Sequence, residues 1–244
     1  MTRCIRTIKQ IFLSGWTDIM TFSIVAVISG LVGIIITLCI LRFNQAAESY
    51  VQIGALLAML LGLAIFIFGE IFSLANEFNL AVSMGICRKY FLPAKYLMFS
   101  INIVATLIIA MILGEIEKRL YPAIYPDLVC ALNVNDFLLH PIAFGGIIFG
   151  GAMLILVFGA LVLRFSTKVF WVIWALWMIS TMSFSKIASA INHAEGGFWK
   201  ELGDGILQLL QNMSAGQIGL IVLGLTALGY GIAYALLRKQ RVTL

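Results

Sequence analysis

Six uncharged or nearly uncharged apolar stretches, at about 19–41, 51–74, 96–114, 141–163, 169–192 and 217–237, divide this chain of 244 residues, and they leave few folds open to it. Each is long enough, at about 1.5 Å of helical rise per residue, to cross a hydrocarbon core of roughly 30 Å. The composition agrees: 62% of residues are hydrophobic and 11% charged, against roughly 25% charged in soluble domains. The leucine-, isoleucine- and alanine-rich runs lack the alternation of a membrane β-barrel, and a lone helix satisfies its own backbone in lipid. The expected fold is therefore an all-α integral membrane protein of six spans, with residues 1–244 forming a single transmembrane domain. No small-residue cleavage site follows a short apolar region, so the first span is expected to be an uncleaved anchor.

The basic residues give an orientation. With the N-terminus in the cytoplasm, the inner connections hold Arg3, Arg6, Lys9, Arg88, Lys89, Lys95, Arg164, Lys168, Arg238, Lys239 and Arg241, which is 11 of the 16 Lys and Arg residues. Both termini are thus expected to be cytoplasmic, as is the connection between the second and third spans. The net charge of +5 is explained by this asymmetry, so nucleic-acid binding is set aside. Residues 1–17 read differently from the spans. At 100° per residue, Cys4, Ile5, Ile8, Ile11, Phe12 and Trp16 fall on an arc of roughly 140°, with Arg3, Arg6 and Lys9 opposite. That pattern predicts an amphipathic helix along the inner leaflet, an anchor in anionic lipid or also a contact for a cytoplasmic partner.

The stretch from Ala75 to Leu97 is longer than a tight turn needs. It offers Phe78, Leu80, Ala81, Met84 and Ile86 as an apolar surface, Gly85 as a helix terminator, and Arg88 and Lys89 beside the membrane. Its basic pair either fixes topology alone or belongs to a partner contact. Other features are weaker. Glu70 lies near the inner end of the second span and Lys186 in the outer half of the fifth; each is a paired or snorkelling charge, or a polar latch or path residue. Gly146 and Gly150 have a spacing that permits close helix approach, expected to serve packing within the chain. Residues 198–213 have apolar positions at helical spacing, for an interfacial helix or a gate. Residues 115–140 read as an irregular cap because of Pro122, Pro126 and Pro141. The two histidines, His140 and His193, are far apart and near span ends, and no catalytic or metal site is expected. Cys4, Cys39, Cys87 and Cys130 lack ligand spacing, and no disulfide is expected.

The run "FNLAVSMGICRKYF", Phe78 to Phe91, resembles the cytoplasmic connection between the second and third spans of small bacterial permeases of the type-two ATP-binding-cassette (ABC) exporters. There an aromatic, a small-apolar pair, Ser-x-Gly, a hydroxyl residue, two bases and another aromatic follow one another. Cys87 stands at the hydroxyl position. The length, the six spans, the cytoplasmic termini and the amphipathic start are similar too. The resemblance implies a non-catalytic permease subunit in the bacterial cytoplasmic membrane, paired with a second permease, identical or paralogous. No Gly-x-x-x-x-Gly-Lys-Ser/Thr loop occurs, so Mg-ATP would be hydrolysed by two copies of a separate ATP-binding subunit, and this chain would carry no cofactor. In that family the connection forms a coupling helix seated on the ATPase. Carried over, Glu77, Phe78, Asn79, Val82, Met84, Arg88 and Lys89 would form the contact, with Arg3, Arg6, Lys9, Phe12 and Trp16 on a bracing interfacial helix. The implied cargo is an amphipathic peptide, drug or lipid-like compound. A stand-alone multispan protein, an ion-coupled carrier or an assembly factor, is the alternative.

Overall fold

A computed structural model of the chain describes residues 2–43, 49–83, 88–126, 128–165, 168–172, 174–179, 183 and 214–238, with residues 2–14, 88 and 89 described as backbone. The elements are α1 (Thr2–Phe43), β1 (Ser49–Val51), α2 (Ile53–Ser83), α3 (Arg88–Ile124), β2 (Val129–Leu132), α4 (Val134–Leu138) and α5 (Pro141–Phe165). A shorter apolar helix, α6 (Lys168–Ile179), and a last long one, α7 (Ala215–Arg238), follow. Among the described residues five helices are long and apolar enough to cross a membrane: Gly15–Phe43, Ile53–Ser83, Tyr90–Ile124, Pro141–Phe165 and Gly219–Arg238. The chain is a multi-pass, mainly helical membrane protein. Of the expected fifth span, 169–192, α6 covers the first part, and beyond it only Ser183 is described.

Side-chain contacts fix how the helices run. Gly15 of α1 lies against Met98 and Gly30 against Leu113, so α1 and α3 are parallel. Gln52 reaches Gly114 while Glu77 pairs with Lys95, so α2 runs the other way. Gly151 and Gly159 of α5 meet Ile103 and Leu74, while Gly145 lies beside Gly219 and Met153 beside Gly229 of α7, which sets α5 and α7 parallel to α2. The start of α1, the α2–α3 turn and the end of α7 consequently share one end of the bundle, the hairpin end. The two strands, α4 and the start of α5 share the other, the strand end.

Phe66 of α2 joins the first three helices, meeting Phe22 edge-on at 5.0 Å and Phe99 at 6.2 Å. Such pairs contribute about 0.5–1.5 kcal/mol each beyond their buried area. The closest helix approach is between α1 and α2, where a Cβ on Gly33 would stand 2.6 Å from the Gly54 Cα. Two backbones come this near only where neither residue has a side chain.

Three expectations change. The amphipathic N-terminal segment is not set off from the first span: α1 is one helix from Thr2 to Phe43. The coupling helix is not a separate element either, because residues 77–83 are the last turns of an unbroken α2. And one short strand pair accompanies the helices. Ser49, Tyr50 and Val51 pair in parallel with Val129, Cys130 and Leu132, with a register shift after Tyr50. The expected irregular cap is thus mostly regular: α3 continues past the predicted end at 114 to Ile124, taking in Pro122, and β2 and α4 follow.

Candidate functional site

At the hairpin end, the residues of the Phe78–Phe91 run close a helical hairpin on itself. Phe78 is fully buried and meets Phe91 edge-on at 5.4 Å. Phe78 is therefore an internal strut rather than a surface for a partner, which corrects its expected role. Asn79 and Val82 are half-buried, while Leu80, between them, is 60% exposed. Met84 lies outside the described residues, and Arg88 and Lys89 open α3. Arg3, Arg6, Lys9 and Phe12 lie on the first turns of α1, and Trp16 just after them is exposed. Lys186 and the 198–213 segment lie outside the described residues.

A turn deeper, three helices bring charges together. Lys95 of α3 is buried, forms an ion pair with Glu77 of α2, and lies 5.4 Å from the centre of the Phe99 ring. Glu70, one face-turn pair before Glu77 on α2, is 3% exposed and accepts a hydrogen bond from the Ser73 hydroxyl at 3.2 Å. Asp18 of α1 completes the group, within electrostatic range of Glu77 and Lys95. Among the described side chains, three carboxylates thus face one ammonium at the α1–α2–α3 junction. Buried ions are retained only when paired, so Lys95 is the residue on which this arrangement depends. Sequence reasoning singled out Glu70 but placed Lys95 only among the topology-setting bases.

The strand end holds a second buried polar group, organised around Gln52 and Glu117. Gln52 is the N-cap residue of α2, its carbonyl accepting from Leu56 N. Its side chain turns outward to donate to the Gly114 carbonyl at 3.0 Å and to accept from Val134 N at 2.9 Å. The capping falls instead to Glu117 of α3. Its two carboxylate oxygens accept from Gly54 N and Ala55 N, each at 2.9 Å, and the Tyr121 hydroxyl donates to it at 2.6 Å. A carboxylate set against the first amides of a helix satisfies orphan donors and the positive end of the dipole together. Tyr50 packs edge-on against Tyr121 at 4.9 Å, and burial, with the Cys130 thiol beside it, pushes its hydroxyl up to about 12. Cys39 and Cys130 are free thiols, and among the described residues no group of three or more His, Cys, Asp or Glu is arranged to hold a metal.

Between these ends the bundle is open along α5. One cavity of about 580 Å³ lies between α2, α5 and α6, walled by Leu60, Phe68, Phe158 and Trp177 among others. A second, of about 590 Å³, shares Leu63, Ile67 and Leu154 with it and continues to Phe137 and His140. Gly146 and Gly150 line this second cavity, and a Cβ on either meets nothing within 4 Å. Among the described residues the close helix approach is made by Gly33 and Gly54, and no described atom meets the Gly146–Gly150 face.

These features define a multi-pass helical membrane protein with a stiff charged hairpin at one end and an apolar cleft through its middle. No protein-family model, curated protein or solved structure matches the chain. The likeness of Phe78–Phe91 to exporter permeases consequently stands on those residues and on the architecture around them.

Proposed function

We propose that this chain is the membrane-spanning permease subunit of a type-two ABC exporter in a bacterial cytoplasmic membrane. It would move an amphipathic peptide, drug or lipid-like compound, with a second permease copy or paralogue beside it and Mg-ATP hydrolysed by two copies of a partner subunit. The observation that carries this reading is the braced hairpin. The residues that resemble an exporter's ATPase-contacting connection sit where α2 and α3 are locked together by Phe78 on Phe91 and by Glu77 on Lys95. A push on this end would pass into two spans braced against each other, the kind of coupled movement alternating access requires. Because Phe78 is internal, the contact surface comprises Leu80, the outer sides of Asn79 and Val82, and the Arg88–Lys89 end of α3. The uncharged cleft supports an amphipathic cargo.

The reading predicts that reversing both charges, Arg88→Glu with Lys89→Glu, lowers cargo-stimulated ATPase activity at least tenfold and weakens co-purification of the ATP-binding subunit. Unchanged activity and unchanged co-purification would remove the hairpin from the coupling path. A second reading, an ion-coupled carrier, is favoured by one observation, the Asp18–Glu70–Glu77 carboxylates gathered on Lys95. The two separate cleanly in cells: export that survives collapse of the ion gradients but stops on ATP depletion belongs to the first.

A further inference from the structure

We infer that Lys95 is the moving part of a latch: paired with Glu77 it holds the α2–α3 hairpin shut, and passed inward to Glu70 and Asp18 it lets the hairpin tip open. The latch belongs to the hairpin itself and does not rest on the exporter reading. What sets it apart from an ordinary ion pair is the placement of the acceptors. Glu70 and Glu77 are seven residues apart on one face of α2, a rise of about 10 Å. Asp18 approaches from α1, and both Glu70 and Asp18 are within electrostatic range of Lys95. One long, flexible side chain therefore has acceptors at two depths and on two helices.

The acceptors are unequal in a way that permits exchange. The Lys95 side chain is 4% exposed, and removing the partner of so buried an ion strands its charge. The Glu77 side chain is 30% exposed, so water can take the ammonium's place there. Glu70 is buried, and a carboxylate at that depth carries charge only with a cation beside it. Its donor, the Ser73 hydroxyl, is shared: it lies 3.2 Å from the carboxylate and 3.4 Å from the Glu70 carbonyl oxygen. The ammonium also has a resting place between the two depths. It sits 5.4 Å from the centre of the Phe99 ring, which in turn meets Phe66, one turn deeper than Glu70 on α2, at 6.2 Å. An aromatic face attracts a cation without carrying charge itself. In the outer position Lys95 and Glu77 join the tips of α2 and α3 beside Phe78 and Phe91. In the inner position the tips keep that ring contact and lose their ion pair, and α3 is tied instead to the body of α2 and to α1. Two discrete pairings of one buried cation make the bistable element that a packed helical bundle needs in order to switch.

The test uses the full-length protein in lipid nanodiscs, without any partner. Dicyclohexylcarbodiimide, an apolar reagent, activates buried carboxyls, and an amine in contact with an activated carboxyl closes an amide that peptide mass spectrometry can map. The expected products in the parent are the Lys95–Glu77 amide and a smaller share of Lys95–Glu70 or Lys95–Asp18. Glu77→Gln should raise those inner products at least about fivefold. In melting curves, Glu77→Gln and Glu70→Gln should each lower the midpoint by less than about half the shift from Lys95→Met, and the double variant by more than the two single shifts together. Amide exchange over residues 77–83 should quicken in Glu77→Gln and slow in Glu70→Gln with Asp18→Asn, which lacks the inner acceptors. If the double Glu variant does not fold, the amide products of Glu77→Gln decide alone. Glu77→Gln as damaging as Lys95→Met would show that the ammonium has nowhere else to go and would overturn the latch. So would single shifts that simply add, as they would if another base held Glu70, or a Glu77→Gln protein with no inner amide, or exchange at the tip unmoved by either variant. Loss of ATPase coupling in the Arg88→Glu, Lys89→Glu protein leaves every one of these readings in place.

Discussion

Glu117 shows how much of this molecule depends on single polar side chains. It is fully buried, and three donors converge on it: two amides from the start of α2 and the Tyr121 hydroxyl. Hydrogen bonds to a charged group contribute about 1.5–3 kcal/mol each, and an orphaned buried donor costs about 1–3 kcal/mol. Glu117→Ala, which strands all three donors, should therefore lower stability by at least about 3 kcal/mol, measured as a fall in the thermal midpoint of the detergent-solubilised protein. Glu117→Gln, keeping one acceptor oxygen, should cost less than half as much. At the other end, Lys95→Met removes the cation paired with Glu77 and leaves the pair half-broken, a change of about 3–5 kcal/mol. Glu70→Gln removes one of those acids and keeps an acceptor for Ser73, so its cost should be under about 1 kcal/mol. Equal losses from Lys95→Met and Glu70→Gln would show that Lys95 does not organise the group.

Among the elements, the bodies of the helices were legible and their ends were not. Apolar length alone located α1, α2, α3, α5 and α7, because a span must satisfy its backbone internally whatever its neighbours are. The ends are set by partners distant in sequence. The start of α2 is held by a carboxylate 63 residues away, and the extra turns of α2 and α3 persist because Glu77 finds Lys95 and Phe78 finds Phe91. The strands, of three and four residues, carry no period long enough to read. Glycine function was not legible for the same reason: spacing marked Gly146 and Gly150, but which glycine meets a helix depends on which faces meet. The element-level prediction follows. Gly54→Ala places a Cβ 2.8 Å from the Gly30 carbonyl and from the Glu117 carboxylate, so backbone has to move, at about 1–3 kcal/mol. Gly146→Ala, with nothing in reach, should leave the melting curve within about 0.5 kcal/mol of the parent.

For the whole molecule, the parallel and antiparallel runs put the start of α1, the α2–α3 hairpin and the end of α7 at one face of the bundle. Glycine contacts and buried pairs set that common end in the fold, and the Lys and Arg residues give only the expectation that it faces the cytoplasm. The candidate site was less legible. Phe78–Phe91 drew attention as a run of residues, yet its internal bracing, which decides which side chains face outward, needed α3 folded back against it. On the proposed function the hairpin end is cytoplasmic and the seat of an energising partner.

Leu80 is an exposed apolar residue of α2 at that end, and its reachability is the most direct test. With Leu80→Cys in a chain otherwise free of cysteine, a membrane-impermeant maleimide added to sealed cells should leave the protein unlabelled, and should label it once the cells are opened. Labelling in sealed cells would put the hairpin on the exterior, where no ATP-hydrolysing subunit could reach it.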